Sequence, residues 1–209
     1  MQKSFKIYFA LFFVIWIIAL IGSLSYPKET FILFLAQHRT VVANYFFIYV
    51  TKLGEWYPFA CFFLFLLYKK DKQNLVAFGG LVLGATGLAN GLKEYFQHER
   101  PALFLAYHGN RLDALGNIPD MVFLDGSSSF PSGHTLAAFA VYTALCLYFQ
   151  HHKWAFLWLV PAVLVGFSRI YLGHHFLEDV TFGAILGVVL ALTVHFIQNS
   201  AFFTNKNQV

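Results

Sequence analysis

Ser168-Arg169-Ile170-Tyr171-Leu172-Gly173-His174-His175-Phe176-Leu177-Glu178-Asp179 is a polar passage set between two long apolar runs, 154–172 and 178–197. Each run is long enough to cross roughly 30 Å of hydrocarbon as a helix. The charged residues therefore fall where the chain leaves an apolar layer and turns back into it. Ionisable groups at such a depth are costly and need a reason to be there.

Further apolar stretches of similar length lie at 7–25, 54–68, 74–96 and 133–150, so the sequence predicts an all-α, six-transmembrane-helix bundle forming one domain over 1–209. Composition agrees. The chain is 58% hydrophobic and 11% charged, far below the roughly 25% charged of soluble domains. Its 26 Phe and 11 Tyr suit lipid-facing surfaces and interfacial aromatic belts. The formal charge of +4 lies largely in short loops and in the motifs below, which points to phosphate binding and membrane orientation and not to a nucleic-acid surface. Cys61 and Cys146 sit in apolar runs, so neither a disulfide framework nor an activated thiol is expected.

Lys3, Lys6, the Lys69-Lys70-Asp71-Lys72 turn, Lys153 and Lys206 all fall on one side of this layout, which the positive-inside rule makes cytoplasmic. Lys93, Arg100, His134, Arg169, His175 and Asp179 then emerge together on the extracytoplasmic face. The first run also has features of a signal peptide, with Ser23-Leu24-Ser25 before Pro27. It is longer than the roughly 7–15 residues of a signal core, so an uncleaved helix is expected. Residues 28–53 stay open between an interfacial helix around Phe31, Ile32, Phe34 and Leu35 and an extension of the second span by 41–50. Two glycine rows, Gly80, Gly84, Gly87 and Gly91, and Gly183 with Gly187, read as faces where helices approach closely and so aim the charged ends at one another.

Four residues apart, His175 and Asp179 share a helix face, so the carboxylate can hold one imidazole N–H and leave the other nitrogen nucleophilic. A plain helix-start cap has the same spacing. Pro131 suits a first helical turn, after which Ser132, Gly133 and His134 present backbone N–H groups where phosphate binds. Gly133 lets the backbone approach, the Ser132 hydroxyl can donate a further hydrogen bond, and His134 is placed to be a general acid. Taken alone, the tetrapeptide also fits a Pro-Ser helix start with an incidental His. Lys93 and Arg100, seven apart and so on one helical face, join Arg169 as the cations a phosphoryl transition state needs. Isolated cations at a span end more often snorkel to headgroups.

Together the strings read K-x6-R-P from Lys93 to Arg100-Pro101, P-S-G-H from Pro131 to His134, and S-R-x5-H-x3-D from Ser168-Arg169 through His175 to Asp179. With every position filled and in order, the chain resembles a compact, bacterial-type member of the type 2 phosphatidic acid phosphatase family. The resemblance covers 93–179; the flanks match only in being apolar and helical.

It implies that His175 attacks phosphorus to give a phosphohistidine, that Asp179 fixes its tautomer, and that His134 protonates the leaving group and then activates water. Ser168 is expected to position Arg169 or a phosphate oxygen. No metal-ligand spacing is visible, so a reaction without metal or other cofactor is expected. His174, Glu94, Glu99 and Glu178 do not match the pattern and read as interface residues. The connection 102–130, with Leu103, Phe104, His108, Arg111, Asp113, Asp120, Met121, Val122, Phe123 and Asp125, reads equally as a substrate-facing lid or an unordered loop.

The implied function is a lipid phosphatase of the cell membrane acting on phosphatidic acid, phosphatidylglycerol phosphate, undecaprenyl diphosphate or lipid A. No nucleic-acid partner is expected. Phosphotransfer to another alcohol uses the same motifs, and an anionic-lipid transporter is the rival from another class. The related vanadium haloperoxidases are soluble, which the spans argue against.

Overall fold

The computed structural model describes residues 2–108, 112–116 and 128–206. Arg111, Asp120, Met121, Val122, Phe123 and Asp125 of the suggested lid lie outside the described residues. Among those described, the chain is helical without strands: α1 (Lys3–Ser25), α2 (Thr30–Gln37), α3 (Val41–Thr51), α4 (Trp56–Tyr68), α5 (Lys72–Phe96), α6 (Pro101–Tyr107), α7 (Gly133–Tyr148), α8 (Leu159–Tyr171) and α9 (Leu177–Lys206).

Every apolar run of the sequence carries a helix, but the helices differ in reach. The helices α1 and α9, and the stretch Lys72–Tyr107 that contains α5, are long and apolar enough to cross a membrane. The pair α3 and α4 passes the same test together, bent by 41°. The remaining two, α7 and α8, are shorter apolar helices. Residues 28–53 thus divide between the short α2 and an α3 that runs through the turn Lys52–Gly54 toward α4.

The centre is α7. Its side chains are buried on nearly all faces, from Thr135 and Leu136 to Cys146 and Leu147, and it packs against α9, α8 and α5. A helix apolar all round belongs in such a position. The outer face of α1, with Val14, Ile18 and Ile21 exposed, suits lipid instead. Buried hydroxyls are paired across the bundle: Tyr8 with Thr143 at 2.8 Å, and the Tyr142 hydroxyl donating to the Leu53 carbonyl at 2.9 Å. In a bundle lacking a strong hydrophobic drive, close packing and such bonds hold helices together.

The glycine row on α9 marks a close approach. A Cβ at Gly183 would lie 2.8 Å from the Ser132 carbonyl oxygen, and one at Gly187 would collide with the Leu136 carbonyl. The row on α5 does not behave as the sequence suggests. Gly84 faces Leu190, but Gly80, Gly87 and Gly91 meet open space, and the buried face of α5 is Phe78, Leu81, Ala85 and Ala89.

Contacts sort the loops to two ends. The Ser4 hydroxyl donates to the His152 carbonyl at 2.8 Å, and Gln198 donates to the Asn74 side chain at 2.9 Å. These bonds gather the start of α1, the basic turn before α5, the 149–154 connection and the later part of α9 at one end. The close of α5, the starts of α7 and α9, and the close of α8 lie at the other.

Candidate active site

At that second end the chain between α8 and α9 sets the geometry. Helix α8 closes on Leu172, and Gly173 takes a left-handed φ of 71°, the usual helix-ending role of glycine. The chain folds back so that the amides of His174 and His175 donate to the Arg169 carbonyl at 3.0 and 3.2 Å. His175 therefore precedes α9 and does not share a helix face with Asp179 as the spacing suggested. They still meet: Asp179 lies in the first turn of α9, its Oδ2 accepts the Phe176 amide at 2.8 Å, and it stands 3.5 Å from His175 Nδ1.

Ser129 completes this contact. Its hydroxyl donates to Asp179 Oδ2 at 2.5 Å, and its oxygen lies 3.4 Å from His175 Nδ1. With Nδ1 facing two acceptor oxygens, the proton belongs there and Nε2 keeps its lone pair. His175 is 1% exposed and Asp179 is fully buried. Burial, followed by the charges of Arg169, Arg100 and Lys93, holds the His175 ring well below the usual histidine range, in its neutral form.

The three cations converge, though by a different route than the sequence suggested. Helix α5 ends at Phe96 and Gln97 turns left-handed, with φ 48°, so Lys93 and Arg100 are not on one helix. Arg100 instead caps α6, with Pro101 in the first turn, and donates to the His174 carbonyl at 3.2 Å. Lys93 reaches toward the start of α7: a Cβ at Gly133 would sit 3.7 Å from its Nζ. Arg169 is 5% exposed and donates to Thr51 Oγ1 at 2.8 Å, while its buried Nε has no hydrogen-bond partner among the described residues. A buried guanidinium nitrogen without a partner is costly unless an anion meets it.

Pro131 lies ahead of the helix and not in its first turn, because Ser132 is the N-cap and Gly133 the first helical residue of α7. The Ser132 hydroxyl accepts from Thr135 Oγ1 at 2.9 Å, which leaves its own O–H to donate, and its amide donates to the Asp179 carbonyl at 3.1 Å. Ser168 does neither task expected of it, since its buried hydroxyl donates to the Val165 carbonyl at 2.6 Å. His134, on the first turn of α7, has Nε2 3.9 Å from Glu55 Oε1.

The structure thus adds residues that the sequence reading passed over. Ser129 sits only two positions before Pro131, in a Ser127-Ser128-Ser129 run without motif spacing. Glu55 is the one acidic residue between Glu29 and Asp71, at the break before α4. Thr51 carries no pattern at all. His174 is part-buried beside the site: its carbonyl holds Arg100, and burial followed by the charge of Arg169 lowers the basicity of its ring to about 2.

A groove of about 590 Å³ leads away from these groups between α4, α5 and α7. Lys93, His134 and Glu55 line it, and so do Phe59, Val82 and Val141. It offers a charged end to a phosphate and an apolar wall to a hydrocarbon chain.

Comparison with known proteins agrees with this architecture. The family model described as PAP2 superfamily matches residues 74–202. The chain is 42% identical over 80 residues to the bacitracin transport permease protein BcrC of Bacillus licheniformis, covering 38% of each chain. It is 34% identical over 137 residues to phosphatidylglycerophosphatase B of Bacillus subtilis (strain 168), covering 61% of this chain and 59% of that one. The matched segments therefore span less than two thirds of these relatives. The crystal structure of a transmembrane PAP2 type phosphatidylglycerolphosphate phosphatase from Bacillus subtilis superposes with a TM-score of 0.67 over 95% of this chain and 98% of that one. At 23% identity the likeness is one of fold.

Proposed function

We propose that this chain, which belongs to the PAP2 superfamily, is a membrane lipid phosphatase that removes the terminal phosphate of a lipid phosphate or diphosphate through a phosphohistidine. The observation that carries the reading is His175: buried, held neutral, with Nδ1 turned to Asp179 and Ser129 and three cations around it. That is the arrangement of an activated nitrogen nucleophile beside an anion site.

In the first step the Nε2 lone pair attacks phosphorus as the bond to the lipid oxygen breaks, and His134 gives that oxygen its proton. Asp179 balances the positive imidazole that results. Lys93, Arg100, Arg169 and the amides at the start of α7 take the charge on the phosphoryl oxygens. In the second step His134 removes a proton from water, the water oxygen attacks phosphorus, and the P–N bond breaks to return the lone pair to Nε2. The groove between α4, α5 and α7 supports an amphipathic substrate.

The test is phosphate release by purified protein in detergent across phosphatidic acid, phosphatidylglycerol phosphate, undecaprenyl diphosphate and lipid A. Release from at least one is expected, with His175→Ala and His134→Ala each slowed by about a hundredfold or more. Near-normal release by either folded variant contradicts the mechanism. The permease name of one relative motivates transport as the second reading. Transport needs no nucleophile, so activity retained by His175→Ala would favour it.

A further inference from the structure

Beside the phosphate site lies a second group of ligating side chains that the mechanism does not use as such. His98, Glu178 and Asp179 each bring one ligand atom to within 4.8 Å of the other two. Sequence spacing hides this cluster, because His98 is on the connection after α5 and the two acids open α9. We propose that these residues form a binding site for a borderline transition-metal dication, zinc above all, and that its occupancy slows the reaction.

Several observations converge on the site. Among the described residues, Asp179 uses one of its oxygens, Oδ2, on Ser129 and Phe176, and its buried Oδ1 has no hydrogen-bond partner. A buried carboxylate oxygen with idle lone pairs is a ready ligand. His98, though exposed, is held in place from several sides. Its amide donates to Ser128 Oγ at 3.0 Å, its carbonyl accepts the Ser129 amide at 2.8 Å, and its ring lies against Phe96 and Phe130 with centroids 5.7 and 5.3 Å away. Glu178 is part-exposed in the first turn of α9, so its side chain can swing.

Zinc takes nitrogen and carboxylate oxygen at about 2.0–2.2 Å in tetrahedral geometry, which asks the ligand atoms to close from their present spacing. Closing that spacing asks the exposed His98 and part-exposed Glu178 side chains to rotate toward Asp179. One imidazole with two carboxylates suits zinc better than magnesium or calcium, which prefer oxygen throughout. The fourth position is left to water or to a phosphate oxygen. Lys28 and Arg100 also face these acids electrostatically, so the ion competes with fixed positive charge.

The inhibitory effect rests on the proposed role of Asp179. A dication on Asp179 draws negative charge from the carboxylate that should balance the phosphorylated His175 ring. Binding itself does not depend on that role.

The experiment titrates tag-free, full-length protein in detergent with Zn2+ against a chromophoric chelator, with Co2+ as a spectroscopic probe. One site is expected, its affinity falling at least about tenfold in His98→Ala and in Glu178→Gln, with the Co2+ ligand-field band lost. Unchanged affinity in both variants overturns the site. In parallel, Zn2+ should slow phosphate release by the unaltered protein, chelator should restore it, and His98→Ala should keep its basal rate and resist the metal. Binding that leaves turnover untouched overturns the inhibitory role. If no substrate is turned over at all, the phosphatase reading fails while the titration still decides the metal site.

Discussion

Ser129 does more at the site than its place in the sequence suggests. It donates to Asp179 and lies against His175 Nδ1, so it settles where that ring keeps its proton. As a positioning residue that never touches phosphorus, it should affect kcat more than KM. Ser129→Ala is expected to lower kcat about tenfold, less than the roughly hundredfold or more that removing an acid–base group itself costs, with KM within a factor of about two. Steady-state kinetics checks this, and Ser129→Thr, which keeps the hydroxyl, should recover part of the loss. An unchanged kcat in Ser129→Ala contradicts the assignment. At this scale the sequence was informative where chemistry constrains identity: His134, His175, Asp179 and the cations come together as the motifs imply. It was silent on Ser129, Thr51 and Glu55, because a hydroxyl or carboxylate that supports another side chain across the bundle leaves no local spacing to read. It misled on Ser168, whose hydroxyl proton is taken by the Val165 carbonyl.

Between elements, the crossing of α7 and α9 is what brings Ser132 and Asp179 together. It depends on Gly183 and Gly187, where a side chain meets the backbone of α7. Gly187→Val should push the helices apart, at a cost of at least about 1–3 kcal/mol as for other overpacked interiors, and should lower the melting temperature in detergent. Gly87→Ala on α5 faces open space, so it should leave that temperature unchanged or raise it slightly through better helix propensity. Equal losses from both substitutions would contradict this assignment of the two faces. The sequence showed both rows with the same spacing. Spacing says that one face of a helix is small, but whether a neighbour lies across it depends on tertiary packing. Likewise the apolar runs located the helices, while the bend between α3 and α4 and the left-handed turn at Gln97 left no periodic signal.

For the molecule as a whole, the bonds from Ser4 to His152 and from Gln198 to Asn74 put the basic turns opposite the phosphate site. We propose that the site faces away from the cytoplasm, because Lys3, Lys6, Lys69, Lys70, Lys72 and Lys153 gather at the other end. Tyr107→Cys, exposed near the site, in a background without Cys61 and Cys146, should react with an impermeant thiol reagent in intact cells or spheroplasts. Gln73→Cys should react only after the membrane is opened. The reverse pattern would contradict the orientation.

The central claim is that His175 becomes phosphorylated, and rapid quenching of the purified protein with a substrate labelled in its terminal phosphate tests it most directly. The account predicts a protein-bound phosphoryl group that is acid-labile and alkali-stable, maps to residue 175 and is absent from His175→Ala. Phosphate released at full rate by His175→Ala, or label found on any other residue, would contradict it.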